Sequence, residues 1–188
     1  MSRITPPDSR RTPPDLSKYG IYNRPGYTPG RAPRGILVVF ILLCVAGGLF
    51  FYARGKVVKI NTGDSFIIIS LQNSFDRVRL YGVDCPELDQ PGGREAVRAS
   101  SELIFMQEVA LTPLEPDEHG RFTSLVQLPG GLLLNEELVR LGLAWVDPRH
   151  CREAWCGSWA RLEEEARAAR RGLWADENPV PPWQWRGE

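Results

Sequence analysis

Nineteen consecutive residues without a charge, 35–53 (GILVVFILLCVAGGLFFYA), divide this chain and limit what it can fold into. As a helix the run is about 28 Å long, close to the hydrocarbon thickness of a bilayer. A helix packed on a soluble core keeps a polar face, and this run has none. Phe50, Phe51 and Tyr52 stand at one end, as an interfacial belt would. The run is therefore expected to be an uncleaved single-pass transmembrane anchor. A cleaved signal peptide is the rival reading, but its leading region would be unusually long and no small-x-small site closes the run. Arg31 and Arg34 precede the span and Arg54, Lys56 and Lys59 follow it, so the local counts do not set orientation. The basic segment before it favours a cytoplasmic N-terminus, with the remainder of the chain extracytoplasmic.

The flanks differ sharply. Residues 1–34 carry seven prolines, seven Lys or Arg and two acids, with little to bury, and read as a disordered or polyproline-like tail. The chain has 23 basic and 23 acidic residues, so the part after the tail is net acidic by five. That balance argues against a generic basic nucleic-acid coat and opposes long-range attraction to phosphates. Residues 54–176 are expected to form the folded domain, and 177–188 a Pro/Trp-rich tail too proline-rich for helix or strand. Cys151 and Cys156 form a C-x4-C pair that suits a small disulfide loop in an oxidising compartment. Two free thiols are the alternative; zinc is disfavoured, because His150 and His119 are the only histidines and no C-x-x-C exists.

Within the domain, β-branched and apolar runs predict strands at 57–60, 65–71, 77–83, 109–114 and 122–128. Helices are expected over 94–107, with Val97, Leu103, Ile104 and Met106 on the apolar side, over 135–141 and over about 153–171. Five short strands with a helix after the third predict an α+β fold. It is a five-stranded OB-type β-barrel with about three helices, preceded by one transmembrane helix.

Three clusters carry chemistry. Gly63-Asp64 puts a carboxylate at the mouth of a strand. RLYGVDCPE (79–87) brings Arg79 to one strand face and sets Asp84 and Glu87 on one rim, where Pro86 fixes the backbone. DEHGR (117–121) is a hairpin-like turn that delivers Arg121. Hard oxygen ligands suit calcium or magnesium, a glutamate can take a proton from water, and arginines pair bidentately with phosphate oxygens. Together these are the parts for phosphodiester hydrolysis. Taken singly, each is an ordinary surface residue.

VVKINTGDSFIII, VRLYGVDCPE, DEHGR, LNEELVRLGLAWV and the late GLWADENP occur in the order, and at separations, that resemble the staphylococcal nuclease (thermonuclease) family over residues 57–174. The resemblance implies an OB-type barrel that hydrolyses DNA and/or RNA with Ca²⁺ and leaves 3′-phosphorylated products. It also implies that Asp64 and Asp84 are metal ligands, with Cys85, where the family usually has threonine, a ligand through its backbone carbonyl. Glu87 corresponds to the general base, and Arg79 and Arg121 to the arginines that bind the scissile phosphate. No obligate protein partner is expected. The membrane is engaged through 35–53.

Some positions depart from the family pattern. Thr62 replaces an acidic residue, which predicts a weaker shell around the metal. Glu118 and Asp147-Pro148-Arg149-His150 stand where nucleotide-holding residues are expected, and His150 reads either as a base-stacking group or as structural. The six tryptophans, Trp145, Trp155, Trp159, Trp174, Trp183 and Trp185, offer either a stacking surface or core packing, with the last two docking the tail. The alternative functions are a catalytically inactive OB-fold binding module tethered to the membrane, or a scaffold whose proline-rich tail recruits a partner.

Overall fold

The structure, a computed structural model, describes residues 53–116 and 122–187. The expected tail, the anchor up to residue 52, and the turn carrying Arg121 lie outside the described residues. Ala53 does not close a membrane span: it opens a strand and pairs with Leu111. Among the described residues no helix is long and apolar enough to cross a membrane.

The chain runs through strands β1 (Ala53–Thr62), β2 (Ser65–Ser70), β3 (Phe75–Leu80) and the short β4 (Val83–Asp84), then helix α1 (Gly93–Ile104). Strands β5 (Glu108–Pro116) and β6 (Phe122–Gln127) follow, then helix α2 (Leu134–Arg140), the short strand β7 (Trp145–Val146) and helix α3 (Cys156–Ala168). A 3₁₀ turn (Gly172–Ala175) and a one-turn helix α4 (Pro182–Trp185) end it. The strands close in the order β1-β2-β3-β6-β5, while β4 and β7 pair separately. Only β3 and β6 run parallel among the barrel neighbours. This five-stranded closed barrel is consistent with the OB-type expectation.

Closure depends on β1, which pairs with β5 through Ala53–Lys56 and with β2 through Gly55–Thr62. Register shifts after Val57 and Ile60 bend it between these two partners. Alternation puts Val57, Phe66, Ile68, Val78 and Leu80 inside, and these are fully or almost fully buried. In the core, the Asn135 side chain donates to the Tyr81 and Ser124 carbonyls at 3.0 and 3.2 Å and accepts from the Val126 N–H at 3.0 Å. One amide thus bonds three backbone groups beside the parallel β3–β6 contact.

The helices differ from expectation at their ends. Helix α1 stops at Ile104, because Phe105 is extended and Met106 takes a left-handed backbone (φ 62°), leaving Met106 exposed. Its buried side is Ala96, Ala99, Ser100 and Ile104 rather than Val97 and Met106; small residues let it lie close to the barrel. Helix α3 begins at Cys156, not 153, where the Cys151–Cys156 disulfide closes the preceding loop. The C-terminal segment is not free of structure: Pro182 starts α4, where its missing N–H costs nothing, so the described residues hold four helices rather than about three. Trp145, Trp159 and Trp174 are core residues, Trp183 packs on Trp145, and Trp185 is exposed.

The disulfide packs against Gly82, just ahead of β4, where an added Cβ would lie 2.7 Å from Cys151 Sγ. Replacing both Cys151 and Cys156 by serine should cost about 2 kcal/mol, the chain-entropy value for so short a loop. Urea unfolding of the double variant beside the oxidised protein measures it.

Candidate active site

The turn between β1 and β2 carries Asp64, and its glycine is required by space. A Cβ on Gly63 would lie 2.7 Å from Cys85 Sγ and 2.8 Å from the Ala96 Cβ. Ser100 of α1 donates a hydrogen bond to the Gly63 carbonyl, and the Leu80 N–H donates to the Asp64 carbonyl at 2.8 Å. The turn is therefore clamped between α1, β3 and the segment after β4.

Asp64 is buried, and both its oxygens are partnered. The Thr62 hydroxyl donates to Oδ1 at 2.7 Å, and the Cys85 N–H to Oδ2 at 3.3 Å. Thr62, which stands where an acidic residue is expected, holds the carboxylate directly. Asp84, placed by its antiparallel pairing with Trp145, is equally buried. Arg79 joins the two, its Nη2 lying 3.3 Å from Asp64 Oδ2 and 2.8 Å from Asp84 Oδ1.

Glu87 lies beyond Pro86 on a turn stitched by Gln90, which accepts from the Glu87 N–H through Oε1 at 3.1 Å while its own N–H donates to the Glu87 carbonyl at 3.0 Å. A Cβ on Gly93 would collide with that same carbonyl, so α1 starts tight against the turn. Five of the six site residues read from the sequence, Asp64, Arg79, Asp84, Cys85 and Glu87, therefore meet at one end of the barrel. Arg121 lies outside the described residues.

Arg186 was not foreseen. From the C-terminal segment its Nη2 reaches Asp84 Oδ2 at 2.8 Å and its Nη1 reaches Glu87 Oε1 at 2.8 Å. No local pattern could have flagged a single arginine 99 and 102 residues away from its partners. His150 is tied to Asp147 Oδ2 at 2.8 Å, which favours its structural reading. Burial alone would raise the Asp147 pKa, yet hydrogen bonds from Arg149 and His150 bring it below the ordinary carboxylate value.

The electrostatics follow from burial. Desolvation, helped by the Asp64 charge and opposed by Arg186 and Arg79, pushes the Asp84 pKa up to about 6. The Asp64 carboxylate raises the Arg79 pKa further, so this guanidinium stays charged. Burial raises the Cys85 pKa well above the usual thiol value, so in the metal-free protein its side chain stays a neutral thiol.

Among the described residues no three His, Cys, Asp or Glu side chains form a metal cage. The donor set present is two buried carboxylates converging on one arginine nitrogen, with a third carboxylate beside Asp84. That set fits a hard cation completing its shell with backbone carbonyl and water.

A carboxyl whose pKa is higher folded than unfolded holds its proton in the native state over the interval between the two values. Its stabilising effect is full below the unfolded value and is lost as pH rises through about 6. Between about pH 4.5 and about pH 7, stability of the metal-free protein should fall more steeply than that of Asp84→Asn. Urea unfolding at both pH values checks the slope.

The family model described as staphylococcal nuclease homologue matches residues 77–176. An uncharacterized endonuclease of Escherichia coli O157:H7 is 35% identical over 133 residues, covering 71% of this chain and 84% of that protein. A micrococcal nuclease of Shigella flexneri is 37% identical over 141 residues, covering 71% of this chain and 80% of that protein. An uncharacterized endonuclease of Haemophilus influenzae is 32% identical over 131 residues, covering 70% and 71%.

Proposed function

From the premise that this chain belongs to the staphylococcal nuclease family and is a nuclease, we propose that it hydrolyses phosphodiester bonds of DNA and/or RNA with Ca²⁺, leaving 3′-phosphorylated products. The observation that carries this reading is the convergence of Asp64 and Asp84 on a single Arg79 nitrogen, with Glu87 on the same rim. Asp64, Asp84 and the Cys85 carbonyl would hold the cation, which supplies charge at a phosphate oxygen when bound.

Glu87 takes the proton from the attacking water, and its partly exposed side chain, 31% accessible, supports access to solvent. Arg79 pairs with phosphate oxygens as charge builds. Both of its carboxylate contacts use one nitrogen, and a guanidinium carries five N–H donors. Arg121 would supply a second guanidinium from the 117–121 turn. Cleavage of single-stranded DNA and RNA should require Ca²⁺ and stop with chelator. Glu87→Gln should lower kcat by about a hundredfold or more, the worth of a general base. Cleavage that is indifferent to chelator, or undiminished in Glu87→Gln, overturns the assignment.

We further propose a single-pass membrane protein, with residues 1–34 cytoplasmic, 35–52 in the bilayer and the nuclease domain, 53–176, outside. The charge-free run and the basic segment before it support this, and the cysteine pair, disulfide-bonded, suits an oxidising compartment. The chain should remain with membranes after alkaline carbonate washing, and added protease should reach the domain without lysis. Release by carbonate sinks the anchor; protection of the domain in intact cells sinks the orientation.

A further inference from the structure

The C-terminal strap reaches the active site by a defined route. After the 3₁₀ turn it crosses the Glu87 turn, where Gln90 Nε2 donates to the Val180 carbonyl at 2.6 Å. Trp183 then packs edge-on against Trp145, ring centroids 6.0 Å apart, and Arg149 lies 5.1 Å over the Trp183 ring. Arg186 caps the C-terminal end of helix α4, and its guanidinium spans Asp84 and Glu87. Three contacts upstream thus aim a single arginine at two carboxylates.

With Arg79 on Asp84 Oδ1 and Arg186 on Oδ2, and a longer Arg186 contact to Oδ1 at 3.4 Å, both oxygens of this carboxylate are taken by cations. Asp64, Asp84 and Glu87 carry three negative charges, and Arg79 and Arg186 return two. A guanidinium has donors only, and a divalent cation needs the same lone pairs. Two cations cannot share that edge without strong repulsion at such range.

The geometry points to Arg186 as an additional active-site residue, a counter-cation held on the Asp84–Glu87 edge by the C-terminal strap, which a divalent cation must displace in order to bind. This rests on the proposed metal role of Asp84. It gives the strap a function in the nuclease: it lowers the affinity of the resting site for the cation and neutralises its carboxylates until one arrives. The pairing is a fork across two carboxylates, a geometry that lysine does not reproduce.

Calorimetric titration of the purified full chain in detergent with CaCl₂ alone, without substrate, tests it. Arg186→Ala should bind Ca²⁺ roughly tenfold more tightly than wild type, the scale of one charge-assisted pair in a partly exposed site. Arg186→Lys, which keeps the charge and loses the fork, should also bind more tightly than wild type. Asp84→Asn in the Arg186→Ala background should abolish binding. If Ca²⁺ binding depends on Asp84 but Arg186→Ala leaves it unchanged or weaker, the strap role falls and the metal assignment stands. Lysine binding like wild type shows a through-space charge effect only and likewise overturns the strap role. Absence of Ca²⁺ binding in all of these proteins overturns the metal assignment and this inference with it.

Discussion

The approach of the β1–β2 turn to the segment after β4 leaves no room for a side chain at residue 63, and the site is built around that closeness. Because Gly63 sits against Cys85 and Ala96, Asp64 is drawn under the Cys85 N–H and beside Arg79. A carboxylate so buried is costly unless hydrogen-bonded, and Thr62, Cys85 and Arg79 provide the partners. The same closeness explains α1: a helix facing the turn with Ala96, Ala99 and Ser100 can lie where a bulkier face would push the turn away.

A second constraint links the far end of the chain to the same carboxylates. Asp84 and Trp145 are ladder partners on β4 and β7, and Trp145 is also the centre of an aromatic cluster with Trp174 and Trp183. Arg167 of α3 lies over both Trp145 and Trp174, at 4.8 and 3.6 Å from their centroids. The backbone that sets Asp84 is thus held by the packing that docks α3, the 3₁₀ turn and the C-terminal strap. Trp145, Trp174 and Trp183, which look in sequence like part of a stacking platform, form the joint between strap and barrel.

Much of the fold was legible in the sequence. The five barrel strands carry β-branched and apolar alternation between Gly, Asn and Pro punctuation, and a period-two pattern with turns is a local property. The boundaries were less so. Met106 has the apolarity of a helix face, yet its left-handed backbone at the α1 end turns the chain into β5. The helix expected from 153 starts three residues later because a disulfide closes the loop ahead of it. The turn at Pro182 is hidden in the sequence because dense proline looks like a break, whereas at the first position of a helix proline is at home.

The sequence by itself determined that Asp64, Arg79, Asp84 and Glu87 meet at the barrel mouth, since they sit at strand ends and turns that a five-stranded barrel brings to one rim. Tertiary structure alone decided how they are partnered. Thr62 supports Asp64, Gln90 ties the Glu87 turn to the strap, and Arg186 closes on Asp84 and Glu87. Local patterns report spacing along a strand or helix. Pairing between groups a hundred residues apart depends on where a packed aromatic cluster sets down a chain end, and that information resides only in the folded contacts.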